Sequence, residues 1–182
     1  FLEALRAARP PMRFVPPHGT LCPHLKRALK EAVARGVDVQ VMVSEKSDIP
    51  ITPRIVEYNV NKLMRAGVKV YFYQGGFHHS KIMMIDSIYS FIGSANLNSR
   101  SLSFDYECNL LIADAPTTHQ LISLFDRDRD EHSFLLTPER WKQLPKWNKF
   151  KGWLFHFLTP FVDAQKRRQG IPGMIIIDRL YA

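Results

Sequence analysis

Cysteine is nearly absent from this sequence: Cys22 and Cys108 are the two among 182 residues. Two thiols so far apart build neither a disulfide framework nor a cysteine-based zinc site, and they suit a reducing compartment in which both are ordinary buried or half-buried groups. Long apolar runs are missing as well. No stretch reaches the roughly 18–20 apolar residues of a membrane-spanning helix, and no signal peptide is visible. Acids are scarce against bases, with 17 Asp and Glu facing 25 Lys and Arg, so the formal net charge is +8. That balance favours anionic partners, nucleic acid or an acidic membrane surface, without choosing between them. Internal repeats are not apparent. Apolar content is ample at 46%, which fits a folded domain with a sizeable core rather than a disordered chain. The chain opens on Phe1 rather than Met, which reads as the start of a fragment.

Along the chain, "FLEALRAAR" reads as a short helix end, and "RPPMRFVPPHG" follows with four prolines. Proline forbids helix interiors and central strands, so no sheet strand is expected there. In "LCPHLKRALKEAVARG" the residues Leu21, Leu25, Ala28, Leu29, Ala32 and Val33 share one helical face, with Gly36 as the stop. "VDVQVMV" (37–43) is a valine-rich strand of the buried, parallel kind. "PRIVEYNVNKLMRAG" (53–67) is a second helix, with proline at its start and glycine at its end, and "VKVYFY" (68–73) is the next strand. Three further strands are expected at 79–85, 88–93 and roughly 105–113, then a helix beginning near Pro116. The order α-β-α-β, a β-meander and α predicts an α/β fold, a sheet with helices packed on it.

The segment "HHSKIMMIDSIYSFIGSANLNSRS" (78–101) joins apolar strand residues to a cluster of polar ones. Alternation along a strand puts His79 and Lys81 on one side, and Ser94 and Asn96 on one side if the second strand stays extended that far. Asp86 and Ser87 supply the tight turn. Four polar side chains then converge where strand ends meet, the usual place for chemistry in open α/β sheets. Lysine and the asparagine amide can donate to phosphate oxygens; serine can donate too, or hold a neighbour in place. Histidine can act as nucleophile or general acid/base near neutral pH. A third group must orient the imidazole, and Glu107, on the following strand, is the candidate. Nothing resembles a metal-ligand cluster, so neither metal nor cofactor is expected.

His79-x-Lys81-x4-Asp86-x6-Gly93-Ser94-x-Asn96 resembles the HKD motif of the phospholipase D superfamily, and "GSANLNSRS" followed by "FDYECN" looks most like its bacterial cardiolipin synthase branch. The resemblance implies a phospholipase D-like mixed sheet flanked by helices, forming one HKD half-domain. It implies His79 as a nucleophile that forms a phosphohistidine, Lys81 and Asn96 gripping phosphoryl oxygens, Ser94 in support and Glu107 orienting His79. Asp86 belongs to the motif in a structural capacity, capping the turn or pairing with a base. His78 reads as a bystander, and Arg100 either reaches a second phosphate or forms a structural salt bridge.

The superfamily uses two such motifs, one histidine attacking while the other protonates the leaving oxygen, and this sequence holds one. The resemblance therefore implies either a missing N-terminal HKD half, favoured by the non-Met start, or a homodimer that builds one site across a two-fold axis. Residues 1–136 are expected to be the phospholipase D-like domain, a second HKD repeat truncated at its N-terminus. The proline-rich "AARPPMRFVPP" departs from the family there, and a sheet strand is expected to be absent or damaged. Residues 137–169 are a basic aromatic tail that holds all three tryptophans, and 170–182 stay unassigned. Trp and Phe among lysines suit a membrane interface, or a terminal helix packed on its own domain. The expected activity is phosphatidyl transfer on an anionic phospholipid at the bacterial cytoplasmic membrane, the protein being peripheral or anchored by a missing N-terminal segment. Hydrolysis of phospholipids, or a homodimeric nuclease acting on DNA or RNA, is the alternative, nucleic acid being the weaker partner.

Overall fold

Two helix–strand units with the same punctuation build one half of the sheet. Helix α1 (Pro23–Ala34) has proline in its first turn and Cys22 as N-cap, whose Sγ accepts the Leu25 N–H. It buries Leu25, Ala28, Leu29 and Ala32, the expected stripe. Gly36 ends it at φ +86°, with Gly36 N–H donating to Val33 O and Val37 N–H to Ala32 O. This left-handed glycine cap satisfies two otherwise open carbonyls and turns the chain into strand β2 (Val39–Ser44). Helix α2 (Thr52–Met64) repeats the device: Gly67 has φ +89°, Val68 N–H reaches Leu63 O, and β3 (Lys69–Tyr73) follows. The computed structural model describes residues 11–16, 21–47, 52–98, 101, 105–166 and 175–177. The helix end expected at 1–9, and Arg100, lie outside them.

The proline-rich segment departs from expectation. Met12–Val15 forms strand β1 in the middle of the sheet, parallel to β2 and antiparallel to β4 (Ile82–Ile85). The prolines flank these four residues instead of interrupting them, so the strand's own N–H donors are intact. Met12 and Phe14 are fully buried.

Strand β4 turns into β5 (Tyr89–Gly93) through Asp86 and Ser87, at φ 56° and 57°. Two successive left-handed residues make the turn that matches strand twist in a hairpin. β5 pairs with β6 (Cys108–Ala113), again antiparallel. All three meander strands are shorter than expected, because 79–81, 88 and 105–107 lie outside the ladder. Helix α3 (Ala115–His132), capped by Asp114, leads to β7 (Ser133–Leu135), an edge strand on β3 that the residue pattern does not announce. Helices α4 (Pro138–Gln143) and α5 (Lys146–Lys166) follow, and β8 (Ile175–Ile177) pairs with β6. The strands lie in the order β7-β3-β2-β1-β4-β5-β6-β8.

The sheet separates two apolar layers. Met12, Phe14, Val41, Val43, Met83 and Ile85 face the layer that contains α1 and α2 residues, while Val15, Met42 and Met84 pack with Phe125 of α3. The fold is thus α/β, a mixed sheet flanked by helices. On the α3 face Arg13 is held by Asp126 at 3.1 Å, and Arg129 bridges Asp126 at 2.6 Å to Gln40 at 3.2 Å. Trp141 of α4 joins the core, and α5 packs on α2 where Gly152 meets the Arg54 carbonyl. Among the described residues no helix is long and apolar enough to cross a membrane.

Candidate active site

The register of the sheet decides where the polar residues gather. Val15, at the end of β1, pairs with Ile82, at the start of β4; Ile82 pairs with Ile92 near the end of β5; Gly93 pairs with Asn109 near the start of β6. The C-terminal ends of β1, β2, β3 and β5 and the N-terminal ends of β4 and β6 therefore share one edge. His79 and Lys81 lie just before β4, Ser94 and Asn96 just after β5, and Glu107 just before β6. All five come to that edge. Asp86, in the hairpin turn, is at the opposite edge, where its N–H donates to Pro11 O.

His79 is exposed, and its ring lies 5.2 Å from that of Phe77. Lys81 Nζ stands 3.2 Å from His79 Nε2 and donates to the His79 carbonyl at 2.9 Å. A lysine ammonium has no lone pair, so in that contact it can only donate, with Nε2 as the acceptor. Burial lowers the Lys81 pKa from its ordinary value, and the Glu107 charge works in the other direction.

Ser94 is committed to the protein around it. Its hydroxyl donates to Glu107 Oε2 and receives the Cys108 N–H at 2.9 Å. Glu107 is buried, so this hydrogen bond solvates a carboxylate that water scarcely reaches. Of the two roles open to Ser94, the geometry has it holding a neighbour in place. Gly93 is required just before it, because a Cβ there would fall onto Asn109 Oδ1 and Cys108 O.

Beyond Ser94 the chain leaves the extended conformation. Ala95 N–H donates to Asn109 Oδ1, Asn96 N–H to Ser101 Oγ, and Ser101 N–H to Asn98 Oδ1. Leu97 has φ 59°, a left-handed conformation that is strained for a bulky side chain, and its carbonyl receives Cys22 N–H at 2.9 Å. This bend holds Asn96, whose buried Oδ1 has no hydrogen-bond partner among the described residues. A buried amide oxygen left unpaired costs about 1–3 kcal/mol, a cost that recurs where a polar group serves a site.

Two supporting residues stand outside the motif. Ser44, at the end of β2, accepts His78 N–H at 2.6 Å and donates to His78 O at 3.3 Å, pinning the segment that carries His79. The His78 ring packs against Tyr73 at 5.1 Å and lies 3.9 Å from Asp128. Burial lowers its pKa, with Asp128 opposing. A serine ending a valine-rich strand is the one sequence signal for Ser44; the contacts of His78 are purely tertiary.

The site is thus an exposed imidazole with an adjacent ammonium, an asparagine on a strained bend and a serine–carboxylate pair, all at one sheet edge. A family model described as cardiolipin synthase, PLD-like domain, matches residues 2–129. The chain belongs to that family. Its resemblance to the phospholipase D superfamily therefore stands. Cardiolipin synthase 1 of Staphylococcus epidermidis is 41% identical over 135 residues, which is 74% of this chain and 27% of that protein. Cardiolipin synthase A of Yersinia pestis (biovar Antiqua, strain Angola) is 34% identical over 161 residues, covering 88% of this chain and 33% of that protein. The PLD-like chain thus spans about a third or less of these curated relatives. Among solved structures, Nuc of Salmonella typhimurium, a phospholipase D family member, aligns at TM-score 0.63 and 19% identity over 74% of this chain and 87% of that one. Phosphatidylserine synthase of Haemophilus influenzae aligns at TM-score 0.64 and 17% identity, over 91% of this chain and 43% of that one. These two likenesses concern the fold.

Proposed function

We propose that the protein takes part in phosphatidyl transfer of the cardiolipin synthase type. The observation that carries this reading is Lys81 Nζ at 3.2 Å from His79 Nε2, which sets a cation beside the nucleophilic nitrogen; as a phosphate arrives, the ammonium passes from Nε2 to its oxygens and frees the lone pair. In this reading Nε2 attacks the phosphorus of an anionic phospholipid. The P–O bond to the departing alcohol breaks, that oxygen takes a proton, and a phosphatidyl-histidine remains. Lys81 and the Asn96 amide hold the non-bridging oxygens as charge builds on them, the usual large contribution to such catalysis. Glu107, steadied by Ser94, orients the imidazole. A second alcohol then attacks phosphorus, gives up its proton, and His79 is released.

Protonating the first leaving oxygen requires a second acid, and the sequence has a single H-x-K-x4-D pattern. That acid comes from a second half-site, in the same longer protein or in a second copy of this chain. The 41% and 34% identities to proteins named cardiolipin synthase support lipid over nucleic acid as substrate. A phospholipid is met at a membrane surface, so the domain would work there. With water as acceptor the same intermediate gives phospholipid hydrolysis.

The test is product analysis with phosphatidylglycerol vesicles and with single-stranded DNA, using the complete protein. Cardiolipin formation is expected, abolished by His79→Asn. Lipid inertness beside DNA cleavage would reverse the reading, and a retained rate in His79→Asn removes that residue from its role.

A further inference from the structure

Helix α5 carries a row of aromatic side chains that the fold leaves outside. Trp147, Phe150, Trp153 and Phe157 are 62%, 45%, 47% and 59% exposed. Their rings form a continuous ladder, with successive centroids 5.4, 5.8 and 6.4 Å apart. At 3.6 residues per turn they occupy about 120° of the helix circumference, in a strip about 15 Å long. Single exposed apolar residues are ordinary; a contiguous strip of four is not.

The other side of α5 is fixed. Gly152 is buried against the Arg54 carbonyl, with Tyr58 Cβ 3.0 Å from where its own Cβ would be, and His156 lies 5.3 Å from the Tyr58 ring. Residue 152 meets 54 and 156 meets 58, so α5 runs in the same direction as α2. Helix α2 departs from the sheet edge where β2 ends, the edge that carries His79. The Trp147 end of the ladder therefore lies toward the candidate site.

Cations border the ladder. Lys151 Nζ sits 5.4 Å from the centre of the Trp147 ring, Lys146 is exposed one residue before it, and no acid occurs between Lys146 and Phe157. Tryptophan and phenylalanine bordered by lysine are what a helix lying in a lipid interface presents, rings at the headgroup boundary and ammonium groups among anionic headgroups.

We propose that the α5 ladder is a docking surface for an anionic lipid bilayer, holding the domain with its candidate site beside the headgroups. The proposal rests on the phosphatidyl-transfer reading for its lipid chemistry, but adsorption can be measured without turnover. The complete chain is mixed with phosphatidylglycerol or phosphatidylcholine vesicles and followed by co-sedimentation and tryptophan emission. Binding to phosphatidylglycerol with a blue shift is expected, weakened by salt and by phosphatidylcholine. Trp153→Ser with Phe157→Ser is expected to lower the partition coefficient at least fivefold with unchanged far-ultraviolet circular dichroism. Should that variant misfold, quenching of the wild-type tryptophans by lipids brominated near the headgroup answers the same question.

An absent shift, a smaller loss, or no quenching overturns the proposal. So does a ladder variant that alters self-association in sedimentation while vesicle binding stays constant, which assigns the strip to a second copy. His79→Asn is expected to adsorb like the wild type. Adsorption without lipid turnover by the wild-type protein leaves this proposal standing and removes the transferase reading.

Discussion

The Ser94 hydroxyl joins two strands and one buried acid: it receives Cys108 N–H at 2.9 Å and donates to Glu107. Ser94→Ala leaves that carboxylate without its donor. The expected loss is about 1–3 kcal/mol of folding stability, the usual penalty of orphaning a buried polar group. Urea unfolding of the chain measures it, and a midpoint equal to wild type would show that water replaces the hydroxyl freely.

Lys81 is expected to carry charge stabilisation, so Lys81→Met should lower kcat in the complete protein by about 10²–10³. Its pKa is lowered from 10.5, chiefly by burial, so the ammonium is lost at a lower pH than in a free lysine. The alkaline limb of the pH–rate profile should sit correspondingly below the ordinary lysine range, and Lys81→Arg should abolish that limb because guanidinium stays protonated. An unchanged limb in the arginine variant would assign it to another group.

Lys26 offers a pH test of the scaffold. Burial and the neighbouring Lys62 lower its pKa from 10.5 to about 8, and its Nζ donates to Asn59 Oδ1 at 3.0 Å. Between about 8 and 10.5 the unfolded chain binds a proton that the folded chain has released, so stability attributable to this group rises with pH across that window. Below about 8 both states are protonated and the unfavourable contribution is fully present. Going from about pH 7.5 to about pH 9.5, the denaturation midpoint should change more favourably in wild type than in Lys26→Met. Parallel changes in the two proteins would contradict the assignment.

Phe14 is fully buried at the centre of the sheet. Phe14→Ala is expected to cost about 3–5 kcal/mol, measured by thermal or denaturant unfolding. A loss under about 1 kcal/mol would mean that β1 contributes little to the core.

Local features are the legible part of the fold. The stripe Leu25, Ala28, Leu29, Ala32 and the stops at Gly36 and Gly67 depend on a turn or two of helix, and they stand where the residue pattern puts them. Strand β1 shows why proline content misleads when it is counted across a segment rather than placed: Met12–Val15 contains none. In the site, the hairpin order alone puts 79–81 and 94–96 at one end of β4 and β5, but the expected alternation does not hold there, since 79–81 precede β4 and the chain leaves the extended conformation after Ser94. The Ser94 link to Glu107 needs the register Gly93↔Asn109, and the Ser44 clasp on His78 needs two segments 34 positions apart. Neither follows from local pattern.

The central position of β1 has a consequence for how the chain assembles. Met12 pairs with Val39 on one side and with Ile85 on the other, so β1 cannot complete its ladder until β4 has been made. Such distant pairing slows folding, since a long loop must close before its contacts reward it. During synthesis on a ribosome, Met12 and Phe14 stay half-covered until Ile85 clears the exit.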